Sequence, residues 1–145
     1  MKAVVQRVRQ ATLSVDGQLI SAINGGLVVF LGVKQGDIKQ QAERMAYKIA
    51  NLRIFEDSIG KMNLSVRDVD GEVLLVSQFT LYGDCSHGNR PSFSTAEEPV
   101  RAKSLYELCA EKLRGHGLTV KLGVFGADMK ISQLNDGPVS IILEI

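Results

Sequence analysis

The sequence predicts a single α+β domain in which a mostly antiparallel, barrel-like sheet carries two main helices packed on it. Three observations lead to this fold class. The length of 145 residues is that of one domain, so residues 1–145 are taken together. Short β-branched segments separated by turn signals dominate both ends of the chain, and only two segments carry apolar side chains at helical spacing.

The first quarter of the chain is predicted to be a β-meander. It consists of β-branched segments separated by turn signals, of which Asp16-Gly17 is a strong hairpin signal. Asn24-Gly25-Gly26 indicates a second reversal, and the run after it is apolar on both faces, as in a central strand. The predicted strands are residues 3–9, 11–15, 18–23 and 27–33.

The middle of the chain is predicted to supply the first helix and a buried strand. Asp37 suits an N-cap, and apolar side chains at helical spacing follow it over residues 38–52. After a short extended segment and a turn, Asp70-Gly71 precedes residues 72–80, the most convincing buried strand of the second half. That strand ends in a largely polar segment, Ser77-Gln78-Phe79-Thr80.

The last third begins with a long loop. Residues 83–96 are small, polar and turn-prone over a length that is typical of functional loops. The chain then returns to regular structure, because Pro99 suits the first turn of a helix. The elements predicted after the loop are a helix from Pro99 that ends at Gly115 and Gly117, strands 118–125 and 139–145, and a turn at Asn135-Asp136-Gly137-Pro138 between them.

Composition and motifs exclude several classes of function. The 17 basic and 16 acidic side chains give a net charge of +1, without the basic excess of a protein that grips a long phosphate backbone. The two histidines and two cysteines lack metal-ligand spacing, and no phosphate-binding glycine motif or nucleophile elbow occurs, so we expect no metal or cofactor. No membrane-spanning apolar run or signal-peptide core is visible, which predicts a cytoplasmic protein.

Two segments carry candidate chemistry. At Ser77–Thr80, hydroxyls and free backbone N–H groups at a strand end are suited to a ligand, and such donors can hold a developing oxyanion. The alternative is a strand that simply emerges into solvent. At Gly137-Pro138, a bare carbonyl and Cα can approach a ligand closely, although these residues also form ordinary turns.

Four motifs occur together in this order and spacing: FEDSIGKMNLSV, SQFTL, HGNRPSF and NDGPVS. Each motif alone is weakly specific, but in register they closely resemble the D-aminoacyl-tRNA deacylase family over essentially the whole chain. Ser140 stands where the family often has Thr, and the loop reads GNRPSF where many members carry a different second residue. Both departures keep the hydroxyl and the Arg-Pro-Ser-Phe core.

The resemblance implies an enzyme that hydrolyses the ester between a D-amino acid and the 3′-terminal adenosine of tRNA, and that also removes mischarged glycine. It implies a homodimer without a metal or organic cofactor. It also implies a cis Gly137-Pro138 bond inserted into the partner's site, where backbone carbonyls hold the ammonium and crowd an L side chain. The implied site residues are Ser77, Gln78, Phe79 and Thr80 for catalysis and Gly137, Pro138 and Met129 for substrate binding.

The attacking group stays open at this point. The favoured interpretation is that the 2′-OH of the terminal ribose helps to activate water, while N–H groups near Phe79 and Thr80 stabilise the oxyanion and Thr80 shapes the site. One alternative is a hydrolase of small D-amino-acid esters with Thr80 as nucleophile and His87 as base. The other alternative is a non-catalytic dimer that binds tRNA.

Overall fold

One long β-hairpin organises the sheet. In the computed structural model, which describes residues 1–145, the first strand pairs antiparallel with two collinear strands, and the register is the same on both sides of Asn24. Ala11 pairs with Ile23 and Val8 with Gly26, so the chain does not reverse at Asn24. The predicted strands are confirmed, but the meander is wrong at its second reversal. The three strands are β1 (Lys2–Val15), β2 (Gln18–Ile23) and β3 (Gly26–Gly32).

Three further strands extend this hairpin on both sides, whereas two short strands pair only with each other in a separate sheet. β3 pairs parallel with β6 (Glu72–Ser77), β6 pairs parallel with β7 (Thr119–Leu122), and β8 (Met129–Glu144) runs antiparallel along the other edge of β1. Ser21 Oγ donates to Leu122 O at 2.7 Å, which links β2 to β7 and nearly closes the barrel. The predicted fold class is confirmed. The additional elements are β4 (Phe55–Glu56), β5 (Met62–Leu64), β6 (Glu72–Ser77), β7 (Thr119–Leu122), β8 (Met129–Glu144), α1 (Lys39–Ala50) and α2 (Pro99–Gly115).

The apolar side chains separate into two clusters because strand side chains alternate between faces. The larger cluster lies between the sheet and the helices, where Leu27, Val29 and Leu75 pack against α1 and α2. The smaller cluster lies on the other face and contains Val28 and Leu74. No helix is both long and apolar enough to span a membrane.

The starts of the two helices differ in how well the sequence predicts them. Glu98 caps α2 by accepting from Arg101 N at 2.8 Å, and Pro99 occupies the first position as predicted. The prediction of Asp37 as the N-cap of α1 is wrong, because Ile38 occupies that position. The buried Asp37 carboxylate instead accepts from the Met1 ammonium at 3.0 Å and from Lys34 N at 2.7 Å.

Two strand ends also differ from their predictions. β6 stops at Ser77, and Phe79–Tyr82 form a short 3₁₀ turn instead of continuing the strand. β8 is longer than predicted and runs through Asn135–Pro138, because pairing with β1 continues on both sides of that segment. The register between β1 and β8 shifts between Gln6 and Gln10 of β1, so the turn-forming residues of β8 are accommodated as β-bulges.

Candidate active site

An apolar cavity of about 610 Å³ opens beside the end of β6 and the start of β8. Most of the residues that line it are hydrophobic, and they come from distant parts of the chain. Ser77, Gln78 and Phe79 lie in this lining, as does Met129. Other apolar side chains that line the cavity are Leu31, Val33, Val76, Phe93 and Phe125.

The turn after β6 presents backbone N–H groups at the edge of this cavity. Gln78 N donates to Leu31 O at 2.9 Å and so extends the ladder with β3 by one bond. The first hydrogen bond of the 3₁₀ turn then runs from Leu81 N to Gln78 O at 3.3 Å. The N–H groups of Phe79 and Thr80 precede that bond and have no acceptor within the turn.

Thr80 follows Phe79 in the turn but is not among the residues that line the cavity. Its Oγ1 accepts a hydrogen bond from Gln78 Nε2. An amide N–H donates and does not take up a proton, so this neighbour orients the hydroxyl without activating it as a nucleophile. His87, the base of the alternative mechanism, is exposed in the 83–96 loop.

That loop supplies an aromatic side chain to the site. Two backbone hydrogen bonds between Asp84 and Ser92, of 2.8 and 2.9 Å, hold its base together. The Phe93 ring then meets Phe79 edge-on with 5.1 Å between ring centroids, although Phe79 remains 56% exposed. A hydrogen bond from Ser86 N lowers the pKa of the Asp84 carboxyl, so Asp84 is charged at neutral pH.

Two carboxylates that the sequence does not single out for this role also line the cavity. Glu97 pairs with Arg101 Nε at 3.3 Å, and Asp128 pairs with Lys130 Nζ at 2.9 Å. Sequence spacing gives no signal for Asp128, which enters the site only because β8 begins beside it.

Behind the turn, burial raises the pKa of the Tyr82 hydroxyl well above its usual value, so Tyr82 is neutral.

Gly137 and Pro138 lie apart from the cavity lining, exposed on β8. The expected cis Gly137-Pro138 bond is wrong, since the chain contains no cis peptide bond. Extended pairing resumes at Ser140, opposite Gln6, and a trans linkage keeps the strand in that direction. Buried Arg7 links the bulge to the segment before β4: its Nε donates to Asp136 O at 3.1 Å and its Nη1 donates to Ile54 O at 2.6 Å.

Known proteins match this chain over nearly its whole length. The sequence profile described as D-Tyr-tRNA(Tyr) deacylase matches residues 4–144. The chain belongs to the D-Tyr-tRNA(Tyr) deacylase family. The resemblance predicted from the four motifs is thereby confirmed, and with it the expectation of an enzyme that hydrolyses the aminoacyl-tRNA ester.

Curated relatives of the family cover nearly the whole chain. The D-aminoacyl-tRNA deacylase of Geotalea uraniireducens is 55% identical over 99% of this chain and 93% of its own length. The D-aminoacyl-tRNA deacylase of Aquifex aeolicus is 52% identical over 99% of this chain and 97% of its own length.

Solved structures agree with this fold. The c-Myc DNA Unwinding Element Binding Protein superposes with a TM-score of 0.92 at 46% identity and covers 100% of this chain and 99% of its own. A probable eukaryotic D-amino acid tRNA deacylase superposes with a TM-score of 0.85 over 99% of this chain and 98% of its own. At 15% identity the second likeness concerns the fold alone.

Proposed function

We propose that this chain removes D-amino acids, and mischarged glycine, from tRNA in the cytoplasm by hydrolysing the ester to the 3′-terminal adenosine. The observation that carries the proposal is the Ser77–Thr80 turn, whose backbone N–H groups border an apolar cavity in a chain of this family. No metal or organic cofactor is required by this scheme, because backbone donors and the substrate itself supply the chemistry.

The cavity suits an aminoacyl-adenosine in size and in lining. Its volume of about 610 Å³ is that of an ordinary small-molecule site. Apolar walls and the Phe79–Phe93 pair suit a flat base, while the turn offers hydrogen-bond donors at the rim. We therefore infer that the base enters the apolar part, near Met129, and that the ester lies against the turn.

The N–H groups of Phe79 and Thr80 are the proposed oxyanion donors. The carbonyl oxygen of the ester gains negative charge when water attacks, and preorganised donors stabilise that charge more than they stabilise the ground state. Thr80 itself is proposed to shape the turn through its bond with Gln78, not to form an acyl-enzyme. The 2′-OH of the terminal ribose is proposed to help activate the water.

The ribose proposal predicts that tRNA ending in 2′-deoxyadenosine, charged with D-tyrosine, is hydrolysed at least about 100-fold more slowly, the loss typical for a missing proton-transfer group. Single-turnover deacylation measures this rate, and competition against uncharged tRNA serves as the control for binding. A rate for the deoxy substrate equal to that of the ribose substrate would contradict assistance by the 2′-OH.

A homodimer is proposed because β8 leaves an edge and apolar side chains unpartnered. β8 pairs only with β1, so one edge of this 16-residue strand is free for pairing. Leu134 is 52% exposed and Ile142 is 69% exposed on the same strand. Gly137 and Pro138 are exposed on it, and we propose that they complete the partner's cavity, where their carbonyls hold the substrate's ammonium and crowd an L side chain.

Mixing two inactive variants tests this cross-subunit arrangement. Gly137→Ala places a Cβ 2.7 Å from Arg7 Nη2 at a φ of +116°, which L side chains rarely adopt, so we expect it to displace the bulge. Phe79→Pro removes a proposed oxyanion donor. A mixed dimer of the two contains one site with both parts intact, so we expect mixing to restore activity.

Native mass spectrometry is the control that mixed dimers have formed. Mixed dimers without activity would contradict the cross-subunit role of Gly137-Pro138, and a monomeric wild-type protein would contradict the dimer itself. Restoration that scales with the fraction of mixed dimers is the supporting result.

The function itself is tested by deacylation of D-Tyr-tRNA, L-Tyr-tRNA and Gly-tRNA. We expect release of D-tyrosine and glycine and little release of L-tyrosine, since specificity by exclusion admits a substrate without a side chain. Equal turnover of small D-tyrosyl esters would favour the Thr80 hydrolase, and binding without release would favour the non-catalytic dimer.

A further inference from the structure

The Ser77–Thr80 turn rests on a glycine of the neighbouring strand. β3 ends at Gly32, which is buried and has no positive φ, so its backbone does not itself demand glycine. A Cβ at this position would lie 3.0 Å from Gln78 O and 3.1 Å from Tyr82 Cε2. Such distances are tighter than most contacts of real Cβ atoms, so a side chain here would require the turn to shift by a few tenths of an ångström.

The two groups that meet Gly32 are the two ends of the turn. Gln78 O accepts the first hydrogen bond of the turn, and Tyr82 is its last residue, packed with only 7% exposure. Phe79 and Thr80 lie between these supports and are exposed. The depth at which the turn rests on Gly32 therefore sets the position of the two intervening N–H groups.

The same part of β3 also forms the wall of the cavity. Leu31 and Val33, on either side of Gly32, both line it, and Leu31 O holds Gln78 N at 2.9 Å. The cavity wall and the turn thus share one rigid strand. A displacement of the turn away from Gly32 would move the donors relative to a substrate held by that wall.

We propose that Gly32 is a positioning residue for hydrolysis. Because it lacks a side chain, the Gln78–Tyr82 turn rests on β3 at the depth that aims the N–H groups of Phe79 and Thr80 at the oxyanion of the ester. This inference rests on the proposed function and adds to it the residue that sets the oxyanion geometry. Gly32 acts through the turn and does not touch the reacting atoms.

Gly32→Ala tests the proposal, with Gly25→Ala as the matched control. Gly25 precedes the same strand and has no positive φ, and a Cβ added there would meet no other atom within 4 Å. For Gly32→Ala we expect kcat on D-Tyr-tRNA to fall about tenfold, as small misplacements of catalytic groups do. Affinity for 3′-(D-tyrosylamino)-adenosine should stay unchanged, because this uncleavable amide forms no oxyanion, and Gly25→Ala should match the wild type.

Amide NMR signals of Phe79 and Thr80 provide a readout that does not depend on turnover. We expect these signals to shift in Gly32→Ala and not in Gly25→Ala. If Gly32→Ala does not fold, Tyr82→Leu removes the other support while keeping Gly32, and it should lower kcat without weakening the amide analogue.

The outcomes separate this inference from the proposed function. A wild-type protein that fails to hydrolyse D-Tyr-tRNA refutes the proposed function, and the NMR signals still decide whether Gly32 positions the turn. An active wild type together with an unchanged kcat and unshifted signals in Gly32→Ala overturns the inference alone. Equal losses of kcat and of analogue affinity also overturn it, because they indicate general damage to the cavity.

Discussion

Phe79→Pro is expected to lower kcat for D-Tyr-tRNA by about 100-fold or more relative to Phe79→Ala, the loss typical when one oxyanion donor is removed. Proline removes the N–H of this residue, whereas alanine keeps it. Both variants lose the ring that meets Phe93, so their comparison isolates the donor. Single-turnover deacylation at saturating enzyme measures the difference.

The backbone accepts proline at this position. Gln78 has φ −145° and ψ 82°, outside the helical region that a following proline disfavours. Phe79 is the first residue of the 3₁₀ turn, where the φ of proline is suitable. Since the Phe79 N–H has no acceptor within the turn, no hydrogen bond of the fold is lost. Similar rates for the proline and alanine variants, with both proteins folded, would rule out this N–H as a donor.

The sequence predicts those parts of the fold that depend on local patterns. Asp16-Gly17 and the Pro99 helix start are correct because turn and cap chemistry acts over a few residues. The full length of β8 is not predictable in this way, because Asn135–Pro138 look like a turn in isolation. Only pairing with β1 across more than 120 positions of the sequence makes that segment a bulged strand.

The residues of the candidate site likewise fall into those that a local sequence pattern predicts and those that only the folded structure reveals. Ser77–Thr80 can be singled out because polar residues follow a strongly apolar strand. The remaining cavity wall cannot be found from local patterns, because Phe125 and Asp128 reach it only after β7 and β8 have been placed against the sheet. Met129, which also lines the cavity, is expected only from the family resemblance. Gly32 gives no signal at all in the sequence, since its role lies in a contact with Gln78 and Tyr82 that exists only in the folded chain.

Asp37→Asn is expected to lower the free energy of unfolding by about 3 kcal/mol or more, the cost typical of removing one partner of a buried ion pair. The Met1 ammonium lies 3.0 Å from Asp37 Oδ1, and these side chains are 0% and 8% exposed. The ammonium also donates to Ile145 O at 2.7 Å, a neutral acceptor that cannot balance its charge. Asparagine keeps the size of Asp37 and an oxygen for Lys34 N, but its amide NH2 then faces the Met1 ammonium, so the charge and the acceptor for that ammonium are both lost.

Glu144→Gln is the matched control, because Lys2 and Glu144, which follow Met1 and precede Ile145, form an ion pair between β1 and β8. That pair has a longer N–O distance of 3.7 Å, and its side chains are 28% and 64% exposed. Its loss should lower the free energy of unfolding by only about 0.5 kcal/mol, as for other surface pairs. Urea unfolding of both variants measures the contrast. Equal losses of unfolding free energy would mean that water already reaches the Met1 ammonium and that Asp37 is not its essential partner. A large loss confined to Asp37→Asn would show that this buried pair holds β1, β8 and the start of α1 together.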